Sequence, residues 1–264
     1  MRICTLASGS SGNAILVEEE RTAVLVDAGL SGKRVEECLN AVNRSGHHLA
    51  GILVTHEHID HIKGVGILSR RYKLPVMATD ATWEAMEEQL GKIAPEHRVV
   101  VEKDQGLEIG QLKVEVFGTR HDAADPIGVS FYGQQCSCGI LTDTGSVYAG
   151  MKKHLSQLNT IVCEANHDEE MLMLGSYPWS LKKRVAGDHG HLSNRMTGKI
   201  LAKLIPTGIE EVILAHLSQE NNTPRVAMET VEDILEEAGI RPGVDVNLSV
   251  APRYSPSAVI AKEA

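Results

Sequence analysis

At 264 residues the chain can fold as one large domain or two small ones, and 42% hydrophobic residues are enough for a sizeable core. The balance of 26 basic against 35 acidic residues, net −9, argues against a uniformly basic nucleic-acid surface but leaves room for a local cationic patch. No run of about eighteen apolar residues exists, so no membrane span is expected, and MRICTLASGSSGN lacks the basic-then-apolar order of a secretion signal.

Aromatics are scarce at 3%, so the core is expected to be Val, Ile, Leu, Ala and Met. The five cysteines are scattered apart from Cys136 and Cys138 and do not make a disulfide framework. Cys136 and Cys138 are placed in a hairpin turn as free thiols, and the cytoplasm is the expected compartment.

The first strands are read at Cys4–Leu6, Ala14–Val17 and Ala23–Val26. The glycine-rich loop between the first two has no helix directly behind it, so it is not a nucleotide P-loop. Asp27, ending Val-Leu-Val-Asp-Ala-Gly, can orient a histidine from behind or cap the turn at Gly29. Ser31 starts an amphipathic helix running to Asn43. The apolar run Gly51–Val54 reads as a buried strand, and Ile62, Val65, Leu68 and Tyr72 have helical spacing.

Later elements follow the same logic. Strands are expected at Pro75–Ala78, Leu107–Ile109, Leu112–Val116, Val129–Tyr132, Gly139–Thr142, Thr160–Cys163, Val212–Ala215 and Val246–Val250. Helices are expected at Ala81–Leu90, Arg195–Leu204 and Arg225–Ala238. No repeat, low-complexity run or linker interrupts the pattern, which fits two half-sandwiches within a single domain.

Between the buried strand and the helix after it stands Thr55-His56-Glu57-His58-Ile59-Asp60-His61. Three imidazoles and two carboxylates in six residues, at the C-terminal end of a strand, suit zinc, manganese or iron. The i, i+2 spacing of His56 and His58 lets both rings face one ion, while Asp60 and His61 point elsewhere, toward a second.

HEHIDH resembles the H-x-H-x-D-H motif of the metallo-β-lactamase superfamily. The resemblance implies an α/β fold, a four-layer αββα sandwich with a di-metal site along one edge. It also implies the rest of the ligand set. His121, after Val114–Arg120, resembles the third histidine; Asp143, ending Leu-Thr-Asp-Thr-Gly, the bridging carboxylate; His216, ending Val-Ile-Leu-Ala-His, the last ligand. One ion would take His56, His58, His121 and Asp143, the other Asp60, His61, Asp143 and His216. Two divalent ions, two carboxylates and a hydroxide sum to a positive site that attracts a phosphodiester although the protein is acidic.

GSSGN, EANHD-EEML, YPW-x-LKKR, GHLSN and AHLSQENNTP together resemble the YycJ (WalJ) branch of that superfamily, over most of residues 1 to 225 and with no departure at a ligand position. The branch implies a metal-dependent DNA 5′→3′ exonuclease of the cytoplasm with a link to DNA repair. The interval from Asp143 to His216 is too short for the large inserted cap of related nucleases, so residues 1–264 are expected to be one domain. In this reading Asp60 also orients the attacking hydroxide. His191 contacts the scissile phosphate or protonates the leaving oxygen, and His167 is a second candidate in that region, with Asn166 and Asp168 supporting.

His47, His48, His97 and His154 are read as surface groups, and Met171, Leu172 and Leu174 as core. Lys182, Lys183 and Arg184 are a solvated helix face that can hold phosphates. The partner is DNA, with RNA second, and a homo-oligomer is left open. The same ligands would serve a cyclic phosphodiesterase or a glyoxalase II-type thioesterase. Non-hydrolytic readings are a flavodiiron-like oxygen reductase module or a metal-dependent regulatory binding protein.

Overall fold

The computed structural model describes residues 1–261, and the last three positions of the expected 1–264 domain lie outside them. The described contacts divide the chain into two compact units. The first holds Met1–Val116, Ala123–Cys136 and the segment from Pro252 on; the second holds Phe117–Asp122 and Ser137–Ala251.

In the first unit β1 (Arg2–Ala7), β2 (Ala14–Glu19) and β3 (Thr22–Val26) form an antiparallel meander. Ser31 caps α1 (Gly32–Ala41) by accepting from the Arg34 N–H, as its place before the apolar periodicity predicts. β4 (Leu49–Leu53) then runs parallel to β3, with Leu53 opposite Val26. The helix expected from Ile62 to Tyr72 is two pieces, α2 (Ile59–Ile62) and α3 (Val65–Tyr72). The break falls at Gly64, whose N–H is diverted to the Ala28 carbonyl at 2.7 Å. β5 (Val76–Ala78), α4 (Asp80–Leu90) and β6 (Arg98–Val100) continue the parallel part of the sheet, and Ile260–Ala261 lines its other edge beside β1.

The core of this unit joins Leu6, Leu16 and Leu25 of the meander to Val35 and Leu39 of α1, Leu68 of α3, and Trp83 and Met86 of α4. Each such side chain contributes about 1.5–3 kcal/mol by leaving water. The hairpin β7 (Gly106–Ile109) and β8 (Leu112–Gly118) follows, then β9 (Ile127–Tyr132) beside β8. β6 was not foreseen: three residues with an exposed–half-buried–exposed pattern carry no periodic signal.

The second unit carries β10 (Ser137–Leu141), α5 (Ala149–Leu155), β11 (Thr160–Glu164), α6 (Glu169–Leu174), α7 (Trp179–Val185), α8 (Asn194–Leu204), β12 (Glu211–Ala215), α9 (Pro224–Glu237) and β13 (Asn247–Val250). Its four strands are parallel in the order β13-β12-β11-β10, with Leu141 opposite Cys163 and Cys163 opposite Leu214. That register brings Asp143, Glu164 and His216 to the same C-terminal end of three adjacent strands. Ser193 and Thr223 cap α8 and α9, each accepting from the N–H three residues on.

Two of the sequence expectations for this unit are corrected. His154 is buried, its ring stacked on Phe117 at 5.2 Å, because the last turn of α5 faces inward. Leu172 is buried as expected, but Leu174 is 78% exposed, since α6 is only six residues long and offers one inward position. All five cysteines are free thiols; burial pushes the Cys138 and Cys163 thiols well up from their ordinary range. No helix among the described residues is long and apolar enough to cross a membrane.

Candidate metal centre and active site

The first unit presents His56, His58, Asp60 and His61 on the loop after β4 and on α2. His56 and His61 are buried, and their ring centroids lie 4.1 Å apart; His56 and His58 are 4.6 Å apart. Asp27 organises this loop. Its carboxylate accepts from the Thr55 N–H at 2.8 Å, from the Thr55 hydroxyl at 2.8 Å and from His61 Nδ1 at 2.7 Å. Of its two sequence readings, the one behind a histidine is therefore observed. With Nδ1–H on Asp27, the His61 lone pair is on Nε2, where the Asn13 amide approaches to 3.1 Å. A histidine held in this way has its ring direction fixed by its neighbours.

Asn13, from the glycine-rich loop, also places its amide 3.4 Å from Asp60 Oδ2, and its own N–H donates to the Asp60 carbonyl at 2.8 Å. Gly29 explains the tightness of this corner: a Cβ there would lie 1.6 Å from the Asp60 carbonyl oxygen. The GSSGN loop closes as a turn, the Gly12 N–H donating to the Gly9 carbonyl at 2.9 Å. It is the brace beneath α2.

In the second unit Asp143, Glu164, His191 and His216 each offer a ligand atom within 4.8 Å of one another. Asp143 and His216 follow their strands with φ of 56° and 54°, and Asp27 of the first unit follows β3 at 60°. Left-handed backbone in Asp and His is uncommon, and its clustering at strand ends marks positions where geometry is held against a local cost. His216 Nδ1 lies 3.3 Å from Asp143 Oδ2. His121 Nδ1 is 3.0 Å from the Gly190 carbonyl, which can only accept, so Nδ1 carries the hydrogen and Nε2, 3.7 Å from Asp143 Oδ1, carries the lone pair. Burial lowers the His121 pKa from its ordinary value, keeping the ring neutral as a ligand must be.

Glu164 is a candidate site residue to which sequence reasoning gave no role. It is 0% exposed, and its carboxylate accepts from His191 Nδ1 at 2.7 Å and from the Thr144 and Leu192 N–H groups at 3.1 Å each. The signal was present, since Glu164 ends an apolar run as Asp143 and His216 do. His191 is half-buried, stacked on His216 at 5.3 Å and 3.8 Å from Asp143 Oδ1. Burial would lower its pKa, but the Glu164 charge and hydrogen bond, with Asp143 and Asp122 behind them, carry it up to about 9.

His167 is 2% exposed, and its Nδ1 has no hydrogen-bond partner among the described residues. Its carbonyl accepts from Asn194 at 2.8 Å at the start of α8, and burial brings its pKa down to about 4 against the opposing Glu164 charge. Asn166 donates to the His216 carbonyl at 2.9 Å, and Asp168 caps α6.

Lys183 and Arg184 are exposed, as expected of a solvated helix face, but Lys182 is not. Lys182 is buried with Nζ on the Met173 carbonyl at 2.7 Å, closing the end of α6, and Arg184 pairs with Asp122 next to His121. Only Lys183 of the three is uncommitted to an acceptor among the described residues.

A family description, the beta-lactamase superfamily domain, matches residues 22–217. The chain is 41% identical over 243 residues to the exodeoxyribonuclease YycJ of Bacillus anthracis, covering 92% of each. It is 40% identical over 242 residues to the exodeoxyribonuclease WalJ of Streptococcus pneumoniae serotype 2, covering 91% of this chain and 90% of that one. Among solved structures, the metallo-β-lactamase fold protein YhfI of Bacillus subtilis matches with a TM-score of 0.72 over 97% of this chain and 98% of its own, at 15% identity. That last likeness concerns the fold alone.

Proposed function

The chain belongs to the metallo-β-lactamase superfamily, as a hydrolase of that fold beside the YycJ and WalJ exodeoxyribonucleases, and from that premise we propose that it is a di-metal-dependent phosphodiesterase acting as a DNA 5′→3′ exonuclease. The expected α/β fold of the αββα type is borne out by this membership. The observation that carries the reading of function is the likeness to exodeoxyribonucleases over nine tenths of both chains. One domain without a large inserted cap is our reading of the architecture, supported by a family match that runs through both units. A cytoplasmic location and a part in DNA repair go with it.

The ligand assignment is the one the family motif implies: His56, His58, His121 and Asp143 for one ion, and Asp60, His61, Asp143 and His216 for the other. What supports the fit is tautomer control in each unit, by Asp27 on His61 and by the Gly190 carbonyl on His121. Two divalent ions held there would lower the pKa of an attacking water and draw charge from phosphoryl oxygens. Imidazole and carboxylate donors serve zinc, manganese and iron alike.

The chain's own groups then do the positioning. Asp60, steadied by the Asn13 amide on Oδ2, orients the water. His191 has Nδ1 committed to Glu164, so its Nε2–H is the end that meets substrate, bonding a phosphoryl oxygen or protonating the leaving oxygen. Glu164 is a positioning residue that acts through His191. His167 is too enclosed to precede His191 and stands behind it as a second contact.

The experiment strips metal, restores manganese or zinc, and assays 5′-phosphorylated DNA, RNA and a cyclic nucleotide with product mapping. Mononucleotides released from the DNA 5′ end are expected. Turnover of the cyclic nucleotide with intact DNA would replace the exonuclease by a small-molecule phosphodiesterase.

A further inference from the structure

Resting on the DNA reading above, we propose that Trp179 and Lys183 form a stacking platform for a base of single-stranded DNA, a few nucleotides from the scissile phosphate. The chain has two tryptophans. Trp83 is 2% exposed, a core residue whose indole N–H donates to the Val99 carbonyl at 3.0 Å. Trp179, the first residue of α7, is 61% exposed. Burying an indole removes one of the largest apolar surfaces a side chain has, so a tryptophan left in water forgoes that gain.

Lys183, one turn on, holds its Nζ 5.5 Å from the Trp179 ring centroid. The contact steadies the ring and places a cation beside it, and the ring's remaining exposure is open to a ligand. Among the described residues Lys183 makes no ion pair, whereas its neighbours Lys182 and Arg184 are committed to the Met173 carbonyl and to Asp122. A free cation next to an exposed aromatic face matches a nucleotide, with base on ring and phosphate on ammonium. Such platforms tolerate any sequence, because every base has a π-face.

The position of α7 supplies the register. Its last residue, Val185, accepts from the His191 N–H at 2.9 Å. Six residues at a rise of about 1.5 Å per residue put Trp179 about 9 Å along the axis from that contact, or two to three stacked nucleotides at about 3.4 Å each. The helix that fixes the loop of the catalytic candidate thus also carries the platform.

The test is binding of labelled oligothymidylate, about twelve nucleotides long, to the full chain in chelator, so that no strand is cut. Trp179→Ala is expected to weaken binding about tenfold and Trp179→Phe less than about threefold, since phenylalanine keeps a stacking face. Tyr254→Ala, at another exposed aromatic, should bind as the parent does. Tryptophan emission should fall on adding the oligonucleotide, and should not in Trp179→Phe, because Trp83 is shielded. Parental affinity in Trp179→Ala, while the parent still binds and degrades DNA, overturns the platform alone. A Trp179→Ala protein that sediments as a smaller species than the parent also overturns it, making the patch a contact with a second copy. A parent that binds no oligonucleotide and cuts none overturns the exonuclease reading and the platform with it.

Discussion

Replacing Glu164 separates holding the fold from holding His191. In Glu164→Ala the Thr144 and Leu192 N–H groups lose the carboxylate oxygen that serves both at 3.1 Å. Each buried donor left without an acceptor costs about 1–3 kcal/mol, so the pair costs about 2–6 kcal/mol. At about 2–4 °C per kcal/mol for a chain of this size, a central loss of about 4 kcal/mol lowers Tm by about 8–16 °C. Glu164→Gln differs. Its amide oxygen can take the place of Oε2 and keep both backbone donors, which limits the loss to about 1 kcal/mol. Its NH2, however, then faces His191 Nδ1, which sits 2.7 Å from Oε1 in the parent. The imidazole must accept there, and it loses its partner charge.

The expected result is near-parental Tm with kcat reduced about 10²–10³-fold, the range for removing a preorganised donor. On the proposed role of Glu164 through His191, His191→Ala should cost a similar factor, and the double variant no more than either alone. Differential scanning calorimetry and steady-state kinetics on 5′-phosphorylated DNA give both quantities. Multiplicative losses in the double variant, or full activity in Glu164→Gln, would refute the coupling.

Asp143→Asn should lose metal and rate together, because the proposed bridging role would need a full negative charge; metal content by plasma mass spectrometry and kcat check it, and retention of two ions counts against the assignment. Asp27→Asn puts an amide against His61 Nδ1, within 2.7 Å of the present carboxylate, and should weaken metal affinity about 10–100-fold in a chelator competition. Lys182→Glu places a carboxylate against the Met173 carbonyl that Nζ now serves, so Tm should fall by several degrees, with Lys182→Met recovering much of it. DNA binding lost in Lys182→Glu at an unchanged Tm would restore Lys182 to the substrate surface.

Local pattern was enough for much of this protein. HEHIDH after an apolar strand is legible because strand periodicity and ligand-type chemistry both reside in a few adjacent residues, and Asp143 and His216, picked out by the family resemblance, stand at the ends of later apolar runs. The cap Ser31, and most of the predicted strand and helix positions within a residue or two, belong to the same class. β6 and the break at Gly64 do not: one is too short to be periodic, and the other is set by a carbonyl of Ala28 thirty-six positions away in sequence.

What only the tertiary structure decided is which polar groups are committed and to whom. Lys182, Lys183 and Arg184 are alike in sequence, yet one is buried on a carbonyl, one lies over an indole and one pairs with Asp122. Asp27 had two equal readings until its contacts with His61 and Thr55 selected one. Glu164 looked like the end of a strand until three donors were seen to converge on it from residues 144, 191 and 192. The physical reason is the same in each case. A side chain's chemistry is fixed by its own atoms, but its burial, charge state and direction depend on partners that the fold brings from distant positions in the chain.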